Sequence, residues 1–344
     1  METLYPLLFE DNFHVLVWGG NRLKSIKGLP ADDVPIGESW EVSAVEKSKS
    51  VVKNGALKGM DLNTLTREYG TLLLGESVFK RYGENFPLLV KFIDAAKDLS
   101  VQVHPNNEIA MRRHNLFGKS ELWYIMKAEP DSKIYVGFNT PISKYEYTQR
   151  IENGTICEVL QEHRVKAGDV FYIPAGRVHA ICGGIMLAEI QQTSDLTYRI
   201  FDYNRPGLDG KPRELHTEWA RDALDYTVYN EYKTCYERKL NDAVSVIAND
   251  LFVVNLFEVN GPVDRTLYRH DSFVIYMCLE GNCSIKIKST KGFGDGVMPD
   301  ITEISLTEGN SCLIPASVAD LVVTPCNSDG ITRLLEVYID DNGY

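Results

Sequence analysis

Paired cysteines are missing from this sequence. Its seven cysteines (Cys157, Cys182, Cys235, Cys278, Cys283, Cys312 and Cys326) are odd in number and scattered. No two stand in a CxxC pair, which argues against a disulfide framework and against a thiolate zinc site. They are expected to be mostly buried, reduced thiols. Also missing is any stretch near the roughly 20 apolar residues of a membrane-crossing helix. The opening METLYPLLFEDNF carries acids where a secretion signal needs lysines, so the expected location is the cytoplasm. Positive charge is scarce: 36 Lys and Arg against 48 Asp and Glu leave a net charge of −12. That speaks against a nucleic-acid partner, because phosphate backbones attract basic surfaces. A small anionic metabolite stays compatible, since screening over about 8 Å hides distant surface charge from a local cluster of Lys and Arg.

What is abundant is strand-like sequence. PLLVKFIDA, ELWYIMKAEPDSKIYVGF, ICEVLQEHRVKAGDVFYIPAG, IMLAEIQQTS, LFVVNLFEV, SFVIYMCLEGNCSIKIK and TRLLEVYI include several runs rich in β-branched and aromatic residues, punctuated by Gly, Pro, Asn and Asp. The chain is expected to be mainly β. Three stretches carry helical spacing instead, at about 61–81, 106–117 and 217–226, and in the last of these Trp219, Ala223 and Leu224 would share a face. With 344 residues there is room for two domains. An internal echo supports two: AGDVFYIPAGRVHA (167–180) aligns without gaps on EGNSCLIPASVADL (308–321), matching Gly168 to Gly309, Pro174 to Pro315 and Ala175 to Ala316. The boundary is expected near 230–245. His179 of the first copy corresponds to Asp320 in the second, so the first copy reads as equipped for chemistry and the second as structural.

In LSVQVHPNNEIA, Gln102 and His104 lie two apart on an apolar strand and so share one face. GDVFYIPAGRVH fits G-x5-P-x-G-x2-H and resembles the second signature of the cupins, in which a turn shaped by Gly and Pro aims a histidine into a β-barrel mouth. QVH followed by Glu121 resembles a variant of the first cupin signature. It departs in having Gln102 for the first histidine and a helix-like insertion, NNEIAMRRHNLFG, before Glu121. Gly183 also replaces the final asparagine of the second signature. Gln102, His104, Glu121 and His179 together offer one amide oxygen, two imidazoles and a carboxylate, a mixture that suits zinc and also accepts manganese or iron. His14, His114, His163, His216 and His270 lack such context and read as structural.

The resemblance narrows further. VWGGNRL, IGESWEVS, FPLLVKFIDAAKDLSVQVHPNNEIA, GKSELWYI and SDLTYRIFDYNR occur in the order of the type I mannose-6-phosphate isomerase family and span about the first 205 residues. The sequence resembles that family's short bacterial form. The resemblance implies two cupin-type, jelly-roll β-barrel units with helical insertions: a catalytic unit over 1–235 and a degenerate unit without metal ligands over 236–344. It implies one zinc ion per chain on Gln102, His104, Glu121 and His179, with Lys119, Glu189, Asp195 and Arg199 at the family's catalytic positions.

The reaction implied is interconversion of mannose 6-phosphate and fructose 6-phosphate through an enediolate. That chemistry needs a stabiliser of developing negative charge and a base. A lysine serves as base only where desolvation or nearby cations lower its pKa. Lys119 is the leading candidate for the base and Arg199 for the stabiliser. Asp195 would aid ring opening or orient Arg199. Glu189 would either touch substrate or orient a ligand. Trp18 and Trp40 read as packing residues or cleft walls. Ser43, Lys91, Lys119 and Arg177 are all open as phosphate contacts. Alternatives are isomerisation of another free or phosphorylated sugar in the same site, and a metal-containing sugar-phosphate-binding protein without catalysis. The number of subunits is left open.

Overall fold

The computed structural model describes residues 3–30, 32–291, 298–326 and 330–340. The chain is mainly β and folds into two compact units, one built from residues 13–39 and 89–234, the other from 3–12, 40–88 and 235–340. The division is therefore more than a single cut at 235. Residues 3–12 join the C-terminal unit because strand Leu7–Leu8 pairs with Ser311–Ile314, Leu7 opposite Leu313. The helical stretch expected at 61–81 joins it too. Among the described residues no helix is long and apolar enough to cross a membrane.

In the first of these units a seven-stranded antiparallel sheet runs in the order Lys233–Thr234, Val170–Ile173, Glu121–Ala128, Ile185–Gln192, Leu88–Ala95, Ile36–Val42, Phe13–Gly20. A five-stranded sheet runs Tyr198–Phe201, Val101–Val103, His179–Ile181, Lys133–Phe138, Leu160–Arg164. Trp123, Ile125, Phe171 and Leu187 of the larger sheet and Ile134, Val136 and Ile181 of the smaller one share a core. Burying each such side chain contributes about 1.5–3 kcal/mol. The outer face of the smaller sheet, with Val101, Val103, Tyr198 and Ile200, is covered by Tyr147, Ala220, Ala223 and Leu224. Because strand side chains alternate, Gln102 between Val101 and Val103 faces inward. The sheets remain separate ladders among the described residues, so each cupin-type unit is a flattened sandwich and not a closed cylinder.

The second unit repeats the plan with a six-stranded and a four-stranded sheet around one core that includes Phe257, Tyr276, Ile285, Leu321 and Leu334. The sequence echo is a structural echo as well. In both copies a strand of the larger sheet (Val170–Ile173, Ser311–Ile314) passes through a proline turn into a strand of the smaller one (His179–Ile181, Val318–Pro325).

Helices occur where the spacing predicts, with differences. The 61–81 stretch is three short helices, Leu62–Tyr69, Thr71–Leu74 and Glu76–Tyr82, broken at Gly70 and Gly75. Gly75 has φ 93°, and a Cβ there would lie 2.2 Å from Asp271 O. Asn107–His114 starts at Asn106, whose side chain accepts from Ile109 N. In Thr217–Ala223 it is Ala220 and Ala223 that are buried, while Trp219 is 46% exposed, so the expected apolar face is rotated away from Trp219. Two helices without apolar periodicity, Arg22–Ile26 and Lys144–Glu152, escape that reading. The second begins at Ser143, which accepts from Glu146 N. This S-x-x-E start is a legible signal in the sequence.

Candidate active site

His104, Glu121 and His179 come together from three segments, with their ligand atoms all within 4.8 Å of one another and fully buried. His104 follows the strand carrying Gln102, and Glu121 opens the strand Glu121–Ala128 of the facing sheet. His179 begins the strand after the proline turn. Gln102 lies opposite His179 in one ladder and opposite Arg199 in the next. Directly opposed residues share a face, so Arg199, Gln102 and His179 form one inward-facing row, with His104 two residues from Gln102 along the strand.

Both imidazoles are oriented by backbone carbonyls. His104 Nδ1 is 2.9 Å from Leu196 O, and His179 Nδ1 is 2.9 Å from Arg177 O. A carbonyl only accepts, so each Nδ1 carries the hydrogen and each Nε2 presents a lone pair to the interior. His104 Nε2 is 3.2 Å from Glu121 Oε1, and His179 Nε2 is 3.6 Å from Glu121 Oε2. Glu121 Oε2 and His179 Nε2 are buried without a hydrogen-bond partner. Left so, such atoms cost a desolvation penalty of about 1–3 kcal/mol each, more when charged. Two neutral imidazoles and a carboxylate converging on unsatisfied atoms fit a divalent metal with nitrogen and oxygen ligands. Burial, reinforced by the Lys119 cation, lowers the His104 pKa, and burial with His104 beside it lowers that of His179 to about 3. Burial works to raise the Glu121 pKa, but Lys119 and the imidazoles hold it well below the usual carboxylate range.

Lys119 Nζ lies 2.7 Å from Glu121 Oε1 and 3.3 Å from His104 Nε2. Its segment is pinned on both sides: Lys119 N donates to Pro105 O, Gly118 N to Asn107 Oδ1 and Ser120 N to Gln192 Oε1. Glu189 sits behind Glu121, accepting from Trp123 Nε1 at 2.9 Å and pairing with Lys91 Nζ at 3.3 Å. Lys91 also meets Glu38 at 3.4 Å. Burial disfavours the Lys91 ammonium, yet Glu38, Glu189 and Glu121 outweigh it and raise its pKa. Burial and the neighbouring Glu121 charge raise that of Glu189.

Asp195 lies next to Leu196, whose carbonyl orients His104. The Arg199 guanidinium donates to Glu214 O at 2.8 Å, and its Nε is buried without a partner. Arg213, Asp202, Arg205 and Glu214 form its charged surroundings. Of the remaining sequence candidates, Trp18 belongs to the core, Ser43 is fully buried, and Arg177 is stacked on two tyrosines. Sequence reasoning missed the carbonyls of Leu196 and Arg177, the Trp123 indole and Glu38. Backbone acceptors leave no residue-type signal, and Glu38 sits within the quoted IGESWEVS with nothing local to mark it.

The second unit holds a counterpart of the Trp123–Glu189 pair. Three residues before each turn proline, Phe171 lies opposite Trp123 and Cys312 opposite Tyr276; Trp123 is opposite Glu189 and Tyr276 opposite Glu336. Tyr276 Oη donates to Glu336 at 2.7 Å, as Trp123 does to Glu189. Here Arg265 closes the cluster with two hydrogen bonds to Glu336, and Asn255 adds another.

Known proteins resemble this chain in sequence and in fold. The family model for the type I phosphomannose isomerase catalytic domain matches residues 7–138. Mannose-6-phosphate isomerase ManA of Bacillus subtilis is 37% identical over 282 residues, 81% of this chain and 87% of that protein. The mannose-6-phosphate isomerase of Streptococcus mutans is 42% identical over 219 residues, 64% of this chain and 67% of its own length. The crystal structure of the mannose 6-phosphate isomerase from Bacillus subtilis superposes with a TM-score of 0.83 at 29% identity, covering 97% of this chain and 99% of that one.

Proposed function

Since the chain belongs to the type I mannose-6-phosphate isomerase family, we propose that it interconverts mannose 6-phosphate and fructose 6-phosphate in the cytoplasm, using one zinc ion held by Gln102, His104, Glu121 and His179. The observation that carries this reading is the buried trio itself: two imidazoles with Nδ1 tied to carbonyls and Nε2 turned to one carboxylate, beside Lys119 Nζ. Zinc bound there supplies Lewis-acid polarisation of the substrate oxygens.

The protein's own side chains do the rest. Once the ring is open, Lys119 acts as the free amine: it removes the proton from C2 of the aldose and returns it to C1, while the hydroxyl proton of O2 passes to O1, so the base is regenerated and the ketose results. Arg199, in the same cross-strand row as Gln102, offsets the negative charge that grows on the sugar oxygens. Asp195 assists ring opening or orients Arg199. Glu189 acts from behind Glu121: its carboxylate is already held by Trp123 and Lys91, which fits an orienting role better than contact with substrate.

The test is conversion of mannose 6-phosphate to fructose 6-phosphate by the purified chain as isolated, after chelation, and after zinc is restored, with metal content measured alongside. Activity lost on chelation and regained with zinc is expected. A chain that takes up zinc and leaves the sugar unchanged overturns the isomerase assignment, and one that turns over equally without metal overturns the zinc assignment.

A further inference from the structure

The turn that presents His179 is gripped from outside the metal trio, and the grip passes through one arginine. Arg177 O accepts the Nδ1–H of His179, so the imidazole follows that peptide wherever it goes. The Arg177 guanidinium lies 4.5 Å from the ring centre of Tyr229 and 5.2 Å from that of Tyr232, a cation–π arrangement on two rings. Tyr232 is a fixed support. It is buried, its hydroxyl donates to Phe138 O at 2.9 Å, and the same oxygen accepts from Tyr229 N at 3.1 Å. Room for its ring exists because residue 137 is glycine: a Cβ there would lie 2.2 Å from the tyrosine. The same turn is laced to its surroundings by Asp225 N to Gly176 O, Gly176 N to His104 O and Gly137 N to Val178 O, each 2.8 Å.

We infer that Arg177, clamped by Tyr229 and Tyr232, is a positioning residue that sets the metal affinity of the site by fixing the carbonyl to which His179 is hydrogen-bonded. The inference rests on the reading of His179 as a ligand. It gives the 225–232 segment a task that its own composition does not announce, and it assigns the Arg177 side chain to the tyrosines and not to a substrate anion.

The test uses the full chain with zinc as the probe. The dissociation constant is measured by chelator competition for wild type, Arg177→Ala, Arg177→Lys and Tyr229→Leu, with circular dichroism checking each fold. Tyr229 is 40% exposed, so its replacement leaves the core intact and keeps the test decisive if Arg177→Ala does not fold. Arg177→Ala is expected to weaken zinc about tenfold at unchanged stoichiometry, in the range usual for groups that orient ligands. Tyr229→Leu should lose less, and Arg177→Lys, which keeps the cation, should recover part of the loss. In parallel, nitrogen NMR of the metal-free protein follows the His179 ring. Wild type should show one tautomer with a bonded Nδ1–H, and Arg177→Ala a weakened bond. Zinc binding by wild type with affinity and ring signal unchanged in Arg177→Ala overturns the clamp alone. Absence of zinc binding in wild type overturns the metal reading and the affinity role together, whatever the ring signal shows.

Discussion

Lys119 is the residue on which the proposed chemistry turns. Lys119→Ala is expected still to bind zinc, because removing the Nζ that lies 2.7 Å from Glu121 Oε1 leaves the carboxylate freer for an ion. Turnover should fall by about 10²–10⁴, the usual contribution of a positioned base. Metal analysis and the sugar-phosphate assay on one preparation check both halves, and near-normal turnover removes Lys119 from the mechanism. At this scale much of the site was legible. Gln102 and His104 stand out as polar residues on one face of an apolar strand, and the proline turn points to His179. The partners that orient them were not legible. Leu196 and Arg177 act through carbonyl oxygens, which any residue owns, and Lys91 meets Glu38 only because two strands distant in sequence lie in one sheet.

Elements were easier to read than their ends. The helical stretch after Asp61 was visible from its spacing, but its breaks come from Gly70 and Gly75, and the reason for the second lies almost two hundred residues away in the chain. Asp271 accepts from Glu76 N and Ser77 N, capping the helix Glu76–Tyr82 from a distance. Asp271→Ala is expected to cost about 1 kcal/mol, as for a lost cap. Gly75→Ala should cost more than that, since it adds a Cβ in a left-handed conformation 2.2 Å from Asp271 O. Denaturant titration of both variants checks the order, and a Gly75→Ala chain as stable as wild type contradicts the account. Trp219 teaches the opposite lesson: helical spacing was read correctly, but small alanines and not the large ring face the sheet, and periodicity alone does not say which side of a helix is covered.

For the whole molecule, the two units show how one plan serves different ends. Burial works against the Glu336 carboxylate, but Arg265, Tyr276 and Asn255 together hold its pKa below the ordinary 4.5. A depressed carboxylate stabilises the fold above its unfolded pKa, and that contribution is lost as pH falls through the folded value. Glu336→Gln is therefore expected to be less stable by about 3 kcal/mol at neutral pH, with Arg265 left unpaired. The gap to wild type should narrow in acid, below about pH 4.5. Thermal melts of both chains across that range decide it, and a gap independent of pH assigns the loss to packing instead. The pairing of Leu7–Leu8 with Ser311–Ile314 reaches further, into the order of synthesis. As the chain leaves the ribosome, the unit that carries the site has all its segments once Thr234 has emerged. Its companion must keep its earliest strand waiting until residues beyond 311 are made. Nascent chains stalled between these points should therefore already contain a folded metal pocket attached to an unfinished second half.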